Sequence, residues 1–336
     1  MAALEAPVAV TAGLRPFNPF RDLAGVTALL ATVFGPELSL ESRSTARLVR
    51  WMRRYPSIGW IWLGFDAWFD GTVSGFVWVE DGRLVGNANI APVGYSGRWI
   101  LSNVAVSEDR RGRGIGRSLV EACLSRARVS GAERVLLQVW EKNQAAVHLY
   151  RSLGFEEVGR VTRISITPGR GARPEQRISS GDLRWADVRP GDFRILAELA
   201  GAMVSSTARA VRPSPLVPFR SSWLEPFGRF LPRPSGHMVT QRRVLLRGRA
   251  PVAALAAVPV SDDLARVTIL SPPGPAAEVA ERVLAELERL AGCYGVSLLA
   301  DVPASLDRLQ AGMVERGWGR QDSLLQMTCD RSADAG

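Results

Sequence analysis

Three glycines alternate with bulkier residues in Arg111-Gly112-Arg113-Gly114-Ile115-Gly116-Arg117, just after the apolar run Trp99–Val106. Without side chains, their backbone N–H groups can come close to an anion, and the unsatisfied donors and dipole of a helix start favour negative charge. A pyrophosphate suits such a turn. Taken alone, the glycines fit equally a bland turn into a glycine-tolerant helix start. A G-x-G-x-x-G dinucleotide fingerprint would need its last glycine at position 117, which is Arg117. Further on, Asn143 is followed by Tyr150 and then Leu153-Gly154-Phe155. Tyr150 carries a phenol able to donate a proton, yet Ala146, Leu149, Tyr150 and Leu153 share a helical spacing that also fits a plain core ring. Asn143 fits an N-cap of the same helix.

The elements that must position these residues are readable from periodicity and turn signals. A strand near Val8–Leu14 and helices in Arg21–Phe34 and Ser42–Arg54 precede strands at Gly71–Glu80, Arg83–Val93 and Arg98–Val106, with Asp81-Gly82 as a hairpin turn. A helix is expected from Gly114 to about Arg128, with Ile115, Leu119, Cys123 and Ala127 on one stripe. Strand Arg134–Trp140, helix Asn143–Leu153 and a strand from Phe155 complete this part.

In these two segments the chain resembles the GNAT superfamily of N-acetyltransferases. The family's pyrophosphate loop reads Q/R-x-x-G-x-G/A, met here by Arg111, Gly114 and Gly116. Its second hallmark, an Asn, a Tyr seven residues later and then Leu-Gly-Phe, is met by Asn143, Tyr150, Leu153, Gly154 and Phe155. The resemblance covers residues 1–165. It implies acetyl-CoA as acyl donor, held by backbone groups of Val104, Ala105 and Val106, by the loop Gly112, Arg113, Gly114, Ile115, Gly116 and Arg117, and by Arg111 and Asn143. It also implies that strands Arg98–Val106 and Arg134–Trp140 splay, so that a pantetheine arm pairs with the freed edge. The chemistry implied is direct attack of a primary amine on the thioester, with a donor such as an N–H near Val106 for the oxyanion and Tyr150 as general acid.

One family feature is missing. Some relatives place a Glu five residues before the Asn, where this chain has Gln138, which takes no proton at neutral pH. Glu141, or Glu80 or Asp81 through water, are the alternative bases; each reads equally as solvated charge at a turn. His148 falls off the helical positions above and carries little catalytic weight. Arg110, Arg111, Arg113 and Arg117 are within reach of phosphates, a 3′-phosphate of CoA included. The aromatic stretch Trp51–Phe69, with Asp66 and Asp70, falls where the family builds its acceptor wall, and fits a pocket for a cationic amine or a piece of core.

The stretch Ile166–Asp182, rich in Gly, Pro, Arg and Ser, reads as a linker. After it the element order recurs: Leu183-Arg184, a helix near Gly191, strands Gln241–Leu246, Pro251–Val260 and Ala265–Ser271, helix Ala276–Ala291, strand Val296–Val302 and helix Ser305–Arg316. Here the phosphate loop corresponds to Ser271-Pro272-Pro273-Gly274-Pro275, whose prolines lack N–H donors, and Tyr150 corresponds to Met313. The expected organisation is therefore α/β (α+β), two GNAT-like domains, each a mixed, mostly antiparallel, twisted sheet flanked by helices. Residues 1–165 form the catalytic domain, 166–182 a linker, 183–330 a degenerate second domain and 331–336 a tail.

Composition bounds the remaining classes. A chain of 336 residues, 46% hydrophobic, supports two ordinary cores. Cys123, Cys293 and Cys329 lie far apart, and His148 and His237 are the only histidines, so no metal and a reducing, cytoplasmic setting are expected. The N-terminal stretch lacks a basic region and no uncharged apolar run reaches about 18 residues, which argues against secretion and a membrane span. The net charge of +9 is spread over both halves and, apart from Lys142, is all arginine, as codon bias would produce, so a nucleic-acid partner is not expected. The reading is an acyl-CoA-dependent N-acyltransferase acting on a small-molecule, peptide or protein amine. The alternative is a non-catalytic acyl-CoA sensor or interaction protein.

Overall fold

The computed structural model describes residues 13–34, 74–92, 97–168, 182–189, 192–202, 219, 240–259 and 264–330. The chain divides into two compact units that alternate along it. Unit 1 takes residues up to Leu137, then Leu149–Phe155 and Thr328 onwards; unit 2 takes Gln138–His148 and Glu156–Met327.

Unit 1 runs through β1 (Gly13–Pro16), α1 (Pro19–Phe34), β2 (Gly75–Glu80), β3 (Arg83–Pro92) and β4 (Arg98–Val106), the four strands pairing antiparallel in that order. A 3-10 turn at Glu108–Arg110 and helix α2 (Ile115–Val129) lead to β5 (Arg134–Trp140), which is parallel to β4. Helix α2 forms because Ile115, Leu119, Val120, Cys123, Leu124 and Ala127 recur at helical spacing, and all six are buried. Each fully buried large aliphatic side chain contributes about 1.5–3 kcal/mol. The first turn of α2 can press on the sheet only because residue 86 is glycine. A Cβ at Gly86 would stand 2.9 Å from Leu119 Cδ1 and 3.0 Å from Ile115 Cγ2.

Unit 2 repeats the plan. Strands β7 (Leu183–Asp187), β8 (Gln241–Arg247), β9 (Ala250–Pro259) and β10 (Leu264–Leu270) pair antiparallel in order, with α4 (Phe193–Ala202) after β7. Helix α5 (Ala277–Tyr294) then leads to β11 (Ser297–Pro303), parallel to β10, and a 3-10 turn enters α6 (Asp307–Glu315). Its core gathers Leu255, Leu270, Leu287, Leu309 and Met313, all fully buried.

Two strands depart from simple repetition. Strand β6 (Glu156–Ile166) pairs antiparallel with β11, Val161–Ile166 against Leu298–Pro303. The last strand, β12 (Gly319–Asp330), has β5 and β6 as neighbours. Within unit 2 Glu141 N–H donates to the Ser323 carbonyl at 2.8 Å. Within unit 1 the Thr328 hydroxyl donates to Val135 O at 3.4 Å, and Arg134 Nη2 donates to Asp330 at 2.7 Å.

The expected elements within the described residues recur, Arg98–Val106 and Arg134–Trp140 with the same ends and others with ends moved by a few residues: helix Asn143–Leu153 is α3 (Gln144–Ser152), and Ser305–Arg316 is the 3-10 turn plus α6. Helix Ser42–Arg54, the stretch Trp51–Phe69 with Asp66 and Asp70, His237 and most of the linker Ile166–Asp182 lie outside the described residues, as does the strand expected from Val8 before Gly13. Among the described residues no helix is long and apolar enough to cross a membrane.

Candidate active site

The site of unit 1 begins where β4 and β5 part. Their parallel pairing is confined to Arg98–Ile100 against Arg134–Leu136, so the following residues of β4, Val104, Ala105 and Val106 among them, have no partner on β5. On its other edge β4 stays paired to β3, with Ala105 opposite Asn87 and Val106 opposite Gly86. Ala105 is buried, while Val104 and Val106 are half-buried. An extended edge without a neighbouring strand is what an added strand-like ligand requires.

Beyond β4 the chain turns sharply. The Ser107 N–H is held by Val85 O (2.8 Å), Arg110 N–H by Ser107 O (2.9 Å) and Arg111 N–H by Glu108 O (3.3 Å). Gly112 and Gly114 both sit in the left-handed region, at φ 75° and 78°, with Gly114 as N-cap of α2. Open space surrounds both, so it is backbone conformation that demands glycine there. The Ser118 N–H closes the first helical bond, to Gly114 O at 3.0 Å. Between Arg111 and Ser118 no backbone acceptor among the described residues takes the N–H groups of Gly112 to Arg117. That leaves an exposed concavity of donors at a helix start, suited to a phosphate.

The arginines around this concavity are not equivalent. Arg110 is committed to Glu80 (2.8 Å) and Asp109 (3.2 Å). Arg117 donates to Ser152 Oγ at 2.6 Å and pairs with Glu121 at 3.4 Å. Arg111 turns its Nε back to Val106 O at 3.3 Å. Arg113 is exposed and has no partner among the described residues, which makes it the most available cation. Ile115 is buried against the sheet and anchors the helix start. A Cβ on Gly116 would meet Leu149 Cδ2 at 3.6 Å and Val106 Cγ2 at 3.7 Å, so β4, α2 and α3 converge there.

Tyr150 stands in the last turn of α3, only 6% exposed. The Leu153-Gly154-Phe155 motif has a mechanical meaning. The N–H groups of Leu153 and Phe155 both donate to Tyr150 O at 3.0 Å, Gly154 takes φ 81° to end the helix, and the Phe155 ring meets the Tyr150 ring edge-on at 5.7 Å. The motif fixes the tyrosine from its backbone and its ring at once. Burial, reinforced by the nearby Cys123 thiol, pushes the phenol well above its ordinary range, and burial pushes Cys123 itself up to about 12. Both groups are protonated at neutral pH.

Asn143 is exposed and caps α3: its Oδ1 accepts the Ala146 N–H at 3.2 Å. Gln138 is exposed on β5, and His148 is exposed on α3. Of the alternative bases, Glu141 pairs with Arg160 at 2.9 Å and Glu80 with Arg110, while also accepting from Trp78 Nε1 at 3.1 Å; Asp81 is exposed at the β2–β3 turn. Among the described residues no group of three His, Cys, Asp or Glu side chains could hold a metal ion.

One polar feature escapes simple motif reading. Asn87 and Asn89, on the apolar strand β3, are 0% and 3% exposed, and Asn103 on β4 has φ 53°. Two polar residues at alternate positions inside LVGNANIAP were the available signal.

Similarity to known proteins fits this geometry. Residues 40–155 match the acetyltransferase (GNAT) family. The mycothiol acetyltransferase of Thermobispora bispora is 33% identical over 152 residues, covering 42% of this chain and 45% of that protein. The streptothricin acetyltransferase of Streptomyces lavendulae is 35% identical over 79 residues, covering 24% of this chain and 42% of that one. The chain thus spans less than half the length of these curated relatives. Among solved structures, a tandem GNAT protein from the clavulanic acid biosynthesis pathway superposes with TM-score 0.52 at 14% identity, covering 76% of this chain and 82% of its own. A GCN5-related N-acetyltransferase from Anabaena variabilis gives TM-score 0.52 at 13% identity, covering 94% and 72%. These structural likenesses bear on the fold. The chain carries an acetyltransferase domain of the GNAT family in residues 40–155, within a tandem GNAT-like fold.

Proposed function

We propose that the chain is an acyl-CoA-dependent N-acyltransferase that uses the cradle of unit 1 to transfer an acetyl group from acetyl-CoA to a primary amine. The observation that carries this reading is the run of unspent N–H donors from Gly112 to Arg117, held beside the open edge of β4. These residues fit the donor: positive-φ glycines leave room for a pyrophosphate, and Arg113 supplies a free cation. When bound, acetyl-CoA supplies an acyl thioester open to direct attack by a free amine. Backbone groups of Val104, Ala105 and Val106 hold the arm, and a donor near Val106 steadies the oxygen that gains charge. Tyr150, kept protonated by burial, donates to the departing sulfur. Asn143 orders the start of the helix that carries Tyr150.

No side chain is assigned as base. Gln138 cannot serve, and Glu80 and Glu141 are held in ion pairs. The amine therefore enters through its neutral fraction. The relatives named for mycothiol and streptothricin support a small-molecule acceptor over a protein. Calorimetric titration with acetyl-CoA, followed by an acetylation screen over an amine panel, tests the reading. One site per chain with turnover of at least one amine is the expected result. Binding without turnover would leave an acyl-CoA sensor, and no binding at millimolar ligand would remove the enzyme.

A further inference from the structure

The β3–β4 ladder contains an irregularity that sits beside the donor edge. Asn87 pairs with Ala105, yet Asn89 pairs with Ser102, so Asn103 and Val104 together oppose one residue of β3. This is a β-bulge, and Asn103 adopts the left-handed conformation, φ 53°. Its carbonyl is caught by Asn87 Nδ2 at 2.9 Å, and the same nitrogen donates to Asn89 Oδ1 at 2.9 Å. Asn89 Nδ2 in turn reaches the Ser74 carbonyl at 3.3 Å. A buried chain of amides thus runs from β4 across β3 to the residue before β2. Asn87 Oδ1 is buried with no hydrogen-bond partner, so the carboxamide is aimed to donate at the expense of its own acceptor. Two buried asparagines in an apolar strand gain little for stability over aliphatic residues of the same shape. Their orientation makes sense if they set the path of β4.

We infer that Asn87 is a positioning residue: by holding the Asn103 carbonyl it fixes the β4 bulge and so aims the Val104–Val106 edge at the pantetheine and thioester part of the acyl donor. The inference rests on the acyl-CoA reading for its ligand. The bulge lies between the last β4–β5 pair, Ile100 with Leu136, and the turn at Ser107, at least eight residues before the Gly112–Gly116 cradle, so a change in it acts first on the Val104–Val106 edge.

The test separates arm from nucleotide. Affinity is measured by calorimetry for acetyl-CoA and for 3′-phospho-ADP, the nucleotide end of coenzyme A, with amide hydrogen exchange followed at Val104–Val106. Asn87→Leu is expected to weaken acetyl-CoA by about tenfold or more while 3′-phospho-ADP stays within about twofold, with faster exchange at Val104–Val106. Asn103→Val, which cannot hold a positive φ cheaply, should give the same signature from the other strand. Adding Asn103→Gly to Asn87→Leu should restore most of the loss, because glycine adopts that φ unaided. Equal weakening of both ligands, unchanged acetyl-CoA affinity, or no rescue would overturn the assignment and leave Asn87 a structural residue. If the wild-type chain binds neither ligand, the acyl-CoA reading fails. The exchange rates then still decide whether Asn87 holds the bulge.

Discussion

The loops that follow β4 and β10 occupy the same place in two copies of one plan, and they differ in the backbone donors they offer. Ile115 lies eight positions after Ser107, and Val279 eight after Ser271; from there α2 buries Ile115, Leu119, Val120, Cys123 and Ala127, while α5 buries Val279, Val283, Leu284, Leu287 and Ala291 at identical spacing. Within that shared frame Gly112 and Gly114 correspond in sequence position to Ala276 and Glu278. Pro272, Pro273 and Pro275 have no N–H to offer, and the Gly274 N–H is already spent on Ser305 O at 3.1 Å. Glu278 puts a carboxylate in the first turn of α5, where the helix dipole would otherwise welcome an anion, and pairs with Arg247 at 3.4 Å. Tyr150 is matched by Met313, fully buried, and the Trp318 N–H donates to Met313 O at 3.1 Å just as Phe155 does to Tyr150. The difference teaches that the fold needs the helix stop and the stripe, whereas the glycine turn and the tyrosine are separable additions to it.

The contrast can be broken most severely at the cradle. Gly114→Val forces a β-branched residue to φ 78°, and acetyl-CoA affinity is expected to fall by about a hundredfold or more, whereas Glu278→Val should leave it unchanged. Titration with a stoichiometry of two would instead show a working second cradle. Next in size, Tyr150→Phe should lower turnover roughly ten- to a thousandfold at near-normal acetyl-CoA affinity, while Met313→Leu should leave turnover intact. Steady-state kinetics beside calorimetry reads both.

A smaller effect sharpens the comparison on the side of stability. A Cβ on Gly312 would lie 2.5 Å from Leu284 Cδ1, so Gly312→Ala is expected to cost about 1–3 kcal/mol in denaturant unfolding without altering acetyl-CoA binding. The pH profile of turnover is the mildest probe. Burial raises the Tyr150 phenol, so its proton is present throughout pH 6–9 and no alkaline fall should arise from it. Turnover should rise with pH as the amine loses its proton, and a decline below pH 9 that Tyr150→Phe abolishes would contradict this.

The cradle and Tyr150 were legible because their signals are local: a glycine alternation at a helix start, and a tyrosine followed by its own helix stop. The stripe on α2 was equally plain, since helical spacing reports burial directly. The Asn87–Asn103 contact was not, because it depends on cross-strand register and on a bulge that shifts it. Nor was the end of β12, Thr328–Asp330, read as part of unit 1. Nothing near Thr328 or Asp330 names Val135 or Arg134 as partner, a pairing that spans most of the chain.

That pairing has a consequence for biosynthesis. The edge of unit 1 at Arg134 and Val135 waits for residues translated almost 200 positions later, so a nascent chain carries the whole Gly112–Arg117 loop well before this edge can be paired. A translation product that stops short of Thr328 would hold every residue proposed for chemistry and still lack this clasp. Its loss would be felt as aggregation or proteolysis during synthesis before it was felt as lost turnover.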